Sequence, residues 1–219
     1  MINEAYRKRL GKLSTTNLSD ALDQVGLRGA VIGIRPLFGT PKIIGSAITI
    51  KMTAAGMTKS KRHLGVDAIA LAKKGDVIAV DNRGDIYNNC WGEILSCMAQ
   101  QKGVSGVIVD GAARDVDACQ EIGFPVFARG VVPITARGRI MQEDFNCPIR
   151  VGDVQVRPGD ILVGDVNGVV VVPFEKLDEV LSAAEKIFEK EEHMKADIMA
   201  GMDILEVDNK YNYEQMLKK

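Results

Sequence analysis

Apolar positions change their spacing several times along the chain, and each spacing predicts an element. In STTNLSDALDQVG (residues 14–26), Leu18, Ala21, Leu22 and Val25 recur at helical intervals. Hydroxyl residues precede the run and Gly26 closes it, so a short amphipathic helix is expected. After the glycine-rich apolar stretch GAVIGIRPLFG, the segment IIGSAITIKMTAAG alternates Ile48, Ile50 and Met52 against Thr49, Lys51 and Thr53. A period of two predicts a strand with one buried face. HLGVDAIALAKKG then reads as a helix ended by Gly75, and DVIAVD as the next strand. WGEILSCMAQQKG predicts a helix and GVIVDG a strand; ARDVDACQEIG predicts another helix and PVFARG the strand after it. This alternation implies a partly parallel sheet covered by helices.

From about Val131 to Pro173 the runs shorten. PIRVGDVQVRPGDILVGDVNGVVVVP breaks into brief β segments at Gly, Pro, Asp and Asn, which predicts a second, largely antiparallel β layer. Residues 175–200 form a long charged helix with Leu177, Val180, Leu181, Ala184, Ile187 and Phe188 on one face. No linker, internal repeat or low-complexity tract divides the chain. The expectation is an α/β protein folded as one domain over residues 1–219. Its core spans about 15–175 in β/β/α layers, and its C-terminal helix, about 175–200, projects to a partner.

Composition narrows the function classes. A chain of 219 residues can bury one sizeable core. Lys plus Arg number 28 against 29 for Asp plus Glu, so no basic excess attracts nucleic acid. The N-terminal MINEAYRKRL is charged from the start, unlike a signal peptide, and the aliphatic run at Val169–Val172 is far too short to span a bilayer. A cytoplasmic protein with neither nucleic-acid nor membrane partners is expected. Cys90, Cys97, Cys119 and Cys147 form no CxxC pair, and no histidine stands at zinc-ligand spacing. All four are expected to be small buried hydrophobes.

Two glycine-linked helix starts, Trp91-Gly92-Glu93-Ile94-Leu95 and Asp110-Gly111-Ala112-Ala113-Arg114-Asp115, carry the candidate chemistry. Free backbone N–H groups and the positive end of the helix dipole suit a small anion at such points. Arg114 offers a planar fork that matches a carboxylate, and Asp115 is a hard oxygen donor for a cation such as Mg2+. Together they would place a 2-oxo acid with its keto oxygen at the cation, where an enolate is stabilised. The same pair also reads as an ordinary exposed Arg-Asp couple, and Glu93 as an ordinary first-turn acid.

WGEILSCMAQQKGVSGVIVDGAARDVDACQEIGFPVFARG resembles the RraA-like family, and VRPGDILVGDVNGVVVVP resembles that family's second signature. The similarity covers roughly residues 15 to 205. The family includes the HMG/CHA (4-hydroxy-4-methyl-2-oxoglutarate / 4-carboxy-4-hydroxy-2-oxoadipate) aldolases, and also RraA, a regulator that binds ribonuclease E and is not an aldolase. The resemblance implies a three-layer swivelling-domain fold. The aldolase branch carries an acid, twenty residues, then Arg-Asp; Glu93, Ile94 to Ala113 and Arg114-Asp115 reproduce that spacing, with Glu where some members have Asp. It further implies that Arg114 binds the pyruvate carboxylate and that Asp115 ligates Mg2+ or Mn2+. The backbone of Gly92, Glu93, Ile94 and Leu95 would receive substrate, and Glu93 would order Arg114 and the waters around the metal. The regulator branch lacks the metal-binding Asp, so Asp115 favours a class II aldolase that cleaves a 4-hydroxy-2-oxo acid and decarboxylates oxaloacetate. The alternative is a non-catalytic binding protein of the ribonuclease-regulator type. A homotrimer, or a hexamer made as a dimer of trimers, is implied as well. Glu191 of a neighbouring subunit would reach the metal through water, although Glu189, Glu191 and Glu192 also read as a solvated helix face.

Other groups carry less. His63 and His193 have no partner at catalytic spacing. Lys51, Lys59 and Lys61 are Schiff-base candidates only if buried, and Lys51 falls on the polar side of its strand. Asp81-Asn82-Arg83-Gly84-Asp85 reads as a polar loop, either beside the site or a plain turn. Gly168–Val172 reads as a buried strand. No GxGxxG loop signals a nucleotide-like cofactor.

Overall fold

The computed structural model of the protein describes residues 2–58 and 62–212. Helix α1 (Glu4–Lys12), capped by Asn3, is an element the charged N-terminal sequence does not announce. Helix α2 (Thr15–Gln24) lies where the apolar spacing predicts it. Ser14 and Asn17 bond reciprocally at its start, each side chain accepting from the other's amide at 3.1 Å. Two short strands, β1 (Ala30–Val31) and β2 (Arg35–Pro36), interrupt the glycine-rich stretch. Strand β3 (Ile43–Ala54) follows, but its burial is not one-sided. Thr49 is fully buried, and its hydroxyl donates to the Cys147 carbonyl at 2.6 Å. The strand is central to the sheet and covered on both faces there, so the hydroxyl needs an internal partner.

The alternating units are α3 (Val66–Leu71), β4 (Val77–Asn89), α4 (Glu93–Gln101), β5 (Gly106–Ala113), α5 (Val116–Glu121) and β6 (Val126–Val131). Strands β3, β4, β5 and β6 pair in parallel in that order. Two expectations are corrected here. Residues Asp81 to Asp85 are not a loop but part of β4, because Asp81 and Asp85 both find partners on β5. The strand GVIVDG runs on through Ala112 and Ala113, so the helix expected from ARDVDACQEIG starts only after Asp115.

The remaining elements are β7 (Ile140–Phe145), β8 (Ile149–Val151), β9 (Val154–Val156), β10 (Ile161–Asp165), β11 (Gly168–Val172), α6 (Leu177–Met199) and α7 (Ile204–Tyr211). Their strands are antiparallel, as expected. Among the described residues, the β8–β9 hairpin forms a separate two-stranded sheet. Strand β10 joins the first half of β3, which makes one nine-stranded sheet in the order β1-β11-β10-β3-β4-β5-β6-β2, with β7 also on β3.

Two wings of this sheet face each other. Ala79, Ile108 and Phe127 of the parallel wing pack with Leu162, Val169 and Val171 of the antiparallel wing. Helices α3, α4 and α5 cover the other face of the parallel wing, which completes the β/β/α layering. Helices α1, α2 and α6 cover the outside of the antiparallel wing as a further layer. In α6, Leu177, Val180, Leu181, Ala184 and Ile187 are buried and Phe188 partly so, the face predicted by their spacing.

Cys90 and Cys119 are buried, but Cys97 is exposed and Cys147 only half-buried, and all four thiols are free. Cys97 follows the buried Leu95 and Ser96 round to the solvent side of α4. Among the described residues, no helix is long and apolar enough to cross a membrane.

Candidate active site

The parallel strands deliver their chemistry at their carboxyl ends. Strand β4 ends at Asn89, and Cys90-Trp91-Gly92 turns the chain into α4. Strand β5 ends at Ala113, and Arg114 leads to Asp115, the residue before α5. The two turns are tied together by the Arg114 amide donating to the Trp91 carbonyl at 2.9 Å. Trp91 is buried, stacked on Phe124 at a centroid distance of 6.3 Å, and its indole N–H donates to Ser96 Oγ at 2.9 Å. The Ser96 hydroxyl in turn donates to the Gly92 carbonyl at 3.0 Å. A buried, fully bonded chain thus holds the start of α4 in place.

Asp115 adopts a left-handed conformation, φ 54°. Its carboxylate does not cap its own helix; it accepts from the Glu93 amide of α4 at 3.2 Å. Arg114 Nε lies 3.3 Å from the same oxygen, Oδ2, yet is buried without a hydrogen-bond partner. Gly92 makes this approach possible. A Cβ there would sit 2.6 Å from Asp115 Oδ2 and 3.2 Å from Arg114 Cγ.

Above these groups is a cavity of about 320 Å³. Gly92, Ile94, Leu95 and Arg114 line it, together with His63, Asn89, Trp91, Met98, Thr135 and Arg137. Its polar groups sit on apolar walls, as small-molecule sites usually do. Asn89 is 5% exposed, and its Oδ1 has no partner. Burial pushes the thiols of Cys90 and Cys119 upward, with the Ser96 hydrogen bond opposing this at Cys119, so neither is poised as a nucleophile.

Of the predicted site, Gly92, Ile94, Leu95, Arg114 and Asp115 come together. Glu93 joins through its backbone amide, while its carboxylate is exposed and makes no side-chain bond to Arg114. Glu191 is on α6 and is tied to its own chain, where Asn17 Nδ2 donates to Oε2 at 2.8 Å; within one chain it is not brought to Asp115. Lys51 is half-exposed and paired with Glu143 at 3.0 Å. Lys59 and Lys61 lie outside the described residues. His193 is exposed on α6. His63, discounted for want of a partner in sequence, lines the cavity, and so do Asn89, Thr135 and Arg137, which no motif marks. Among the described residues, no three His, Cys, Asp or Glu side chains converge as a ready-made metal cage. The donor set instead suits a cation that takes one carboxylate from the protein and fills the rest of its shell with water and substrate. Asp115, with one oxygen fixed by the Glu93 amide, fits that description.

Residues 15–171 match the sequence pattern of the family described as RraA-like, Aldolase/RraA. The chain belongs to the RraA-like family. A Halalkalibacterium halodurans protein provisionally named as a 4-hydroxy-4-methyl-2-oxoglutarate aldolase is 37% identical over 175 residues, covering 80% of this chain and 79% of that one. Protein DlpA of Legionella pneumophila is 33% identical over 208 residues, 95% of this chain but 34% of DlpA, so the RraA-like chain spans about a third of DlpA's length. Among solved structures, Streptomyces coelicolor RraAS2, described as an unusual member of the RNase ES inhibitor RraA family, superposes with a TM-score of 0.81 at 26% identity, covering 89% of this chain and 97% of RraAS2. The family therefore contains relatives named as aldolases and relatives named as ribonuclease inhibitors.

Proposed function

We propose that this RraA-like chain is a divalent-metal-dependent lyase that cleaves a 4-hydroxy-2-oxo acid to pyruvate and a second carbonyl compound, and that it also decarboxylates oxaloacetate. The observation that carries this reading is the packing of Asp115, Arg114 and Gly92. One carboxylate is fixed by a helix-start amide, and beside it the buried Arg114 Nε has no hydrogen-bond partner. An unsatisfied buried donor on a charged group costs free energy that a bound anion would restore. A surface ion pair has no need of that arrangement.

In the proposed reaction, Arg114 binds the substrate carboxylate, and the amides of Ile94 and Leu95 in the first turn of α4 would receive it. Leu95 and Trp91 keep the apolar wall dry, and Ser96 holds the Gly92 carbonyl so that the amides stay aimed. A divalent cation at Asp115, Mg2+ or Mn2+, would supply Lewis-acid stabilisation of the keto oxygen, worth several kcal/mol in general. The C4 hydroxyl loses its proton, the C3–C4 bond breaks, and its electron pair leaves pyruvate as the enolate, which takes up a proton at C3. Oxaloacetate yields the same enolate by losing CO2. A trimer, or a hexamer built from two trimers, with Glu191 contributed by a neighbour, is the assembly proposed for this site.

The test is oxaloacetate turnover. Activity that EDTA abolishes and that Mg2+ or Mn2+ restores is expected. A folded protein with no metal-dependent turnover on oxaloacetate or on a panel of 4-hydroxy-2-oxo acids would instead support a binding protein, the role named for the RraAS2 family.

A further inference from the structure

Among the described residues, two buried side-chain polar atoms have no hydrogen-bond partner, Arg114 Nε and Asn89 Oδ1. Both residues line the same cavity of about 320 Å³. The lyase reading uses the Arg114 donor and leaves the Asn89 acceptor without a role. Buried polar groups in folded proteins are almost always bonded, so an orphan in a cavity wall calls for a partner brought by the ligand.

Asn89 is the last residue of β4 and pairs with Ala112 of β5, two residues before Arg114. Its Nδ2 faces the Trp91 carbonyl at 3.5 Å, the outer limit of a hydrogen bond. That carbonyl already accepts from the Arg114 amide at 2.9 Å. Turning the Asn89 amide round would set Oδ1 against the Trp91 carbonyl, acceptor to acceptor, so Oδ1 is the free end. Asn89 and Arg114 thus flank one carbonyl, and the first offers an acceptor where the second offers a donor.

The ligand's own chemistry says what can meet that acceptor. The ionised carboxylate and the keto oxygen of a 2-oxo acid only accept hydrogen bonds. In a 4-hydroxy-2-oxo acid the C4 hydroxyl is the group with a proton to donate. We infer that Asn89 is a specificity-determining residue whose Oδ1 accepts a hydrogen bond from the C4 hydroxyl of the substrate, an inference that rests on the lyase reading of the same site. An amide oxygen is too weakly basic to take the proton. Asn89 therefore recognises and orients the hydroxyl, and proton removal falls to another group. An analogue without the hydroxyl leaves the buried oxygen unpaired, and sites built this way discriminate against such analogues.

Isothermal titration of the metal-free protein with 4-hydroxy-2-oxoglutarate and with 2-oxoglutarate, which differ only in that hydroxyl, reads the contact without turnover. The wild type should bind the hydroxylated acid about tenfold tighter, and Asn89→Leu, which keeps the bulk without the amide, should bring the ratio to about one. Asn89→Ala should do the same, which separates the lost acceptor from obstruction by leucine. Asn89→Leu removes an unpaired buried oxygen, so it should melt no lower than the wild type; a lower melting temperature with the affinity ratio intact would mark Asn89 as structural and overturn the inference. In the metal-loaded enzyme, KM for 4-hydroxy-2-oxoglutarate should rise about tenfold relative to KM for oxaloacetate, which has no C4 hydroxyl. Equal wild-type affinity for the two acids, binding of neither, or a preference that survives in both variants would also overturn it. Hydroxyl-selective binding that depends on Asn89 but comes without metal-dependent turnover would keep the Asn89 contact and overturn the lyase reading instead.

Discussion

The Asp115 carboxylate accepts a hydrogen bond from the Glu93 amide at 3.2 Å, so the acid that begins one helix caps another. The bond joins the end of β5 to the start of α4 and fixes one carboxylate oxygen beside Gly92 and Arg114, which line the cavity. Asp115→Asn keeps the size and an acceptor for Glu93 but removes the charge. Its melting temperature should match the wild type to within about 1 kcal/mol of stability. Oxaloacetate turnover should fall at least a hundredfold, ~2.7 kcal/mol in barrier, and should no longer respond to Mg2+. Undiminished metal-dependent turnover would remove Asp115 from the mechanism.

Gly92→Ala probes the same contact from the other side. The new Cβ would lie 2.6 Å from Asp115 Oδ2, so the carboxylate and Arg114 must both shift. Gly92 itself has extended backbone, φ −157°, which alanine adopts freely, so the fold should survive. A displacement on the order of 1 Å typically costs about a hundredfold in rate. Circular dichroism paired with oxaloacetate kinetics should show native structure with kcat/KM lowered at least tenfold.

Much of this was legible in the sequence, and the misses have physical causes. The face of α6 follows from its helical periodicity, and the partly parallel sheet from the alternation of helical and β segments. The far end of β4 does not, because Asp81-Asn82-Arg83-Gly84-Asp85 looks like a turn until the partners of Asp81 and Asp85 on β5, Asp110 and Gly111, are known. For the site, Arg114 and Asp115 were visible as neighbours in a motif. Asn89, and Thr135 with Arg137, reach the same cavity from two segments that carry no motif, and only the fold assembles them. Glu93 shows the limit from the other direction: its residue type suggested a carboxylate role, whereas its backbone amide makes the contact.

Ser96 is fully buried and bonded to Trp91 Nε1 and the Gly92 carbonyl. Ser96→Ala would leave the indole N–H buried without a partner, at a cost of ~1–3 kcal/mol. Thermal melting should register that loss. Because the Gly92 carbonyl keeps the Ser96 amide at 3.1 Å but loses the hydroxyl, KM for oxaloacetate should rise more than kcat falls, and Ser96→Thr should recover part of both. An unchanged KM in a destabilised Ser96→Ala protein would confine the network to stability.

The free thiols should separate by exposure. Burial raises the Cys90 thiol far above the ordinary range and raises Cys119 as well, while Cys97 is exposed on α4. Iodoacetamide labelling read by peptide mass spectrometry should modify Cys97 first and reach Cys90 and Cys119 only with denaturant. Labelling of Cys90 in the native protein would mean that the turn before Gly92 opens.

Asp165 ties the start of α2 to the end of β10, and its charge sets a pH dependence. Burial pushes its carboxyl up, but the Thr15 amide at 2.8 Å, the Thr15 hydroxyl at 2.7 Å and Asn167 outweigh that and hold it below the usual carboxylate range. A carboxyl depressed in the folded state stabilises the protein above its unfolded value of about 3.9, and that contribution drains away as pH falls through the lower folded value. Asp165→Asn should therefore melt lower at pH 7, by about 2–4 °C for each kcal/mol lost. The gap should close as the pH is taken below about 3.9 and the wild-type carboxyl protonates. Melting curves of both proteins across that range decide the matter, since a gap of equal size at pH 7 and in acid would show that shape, not charge, sets the contribution of Asp165.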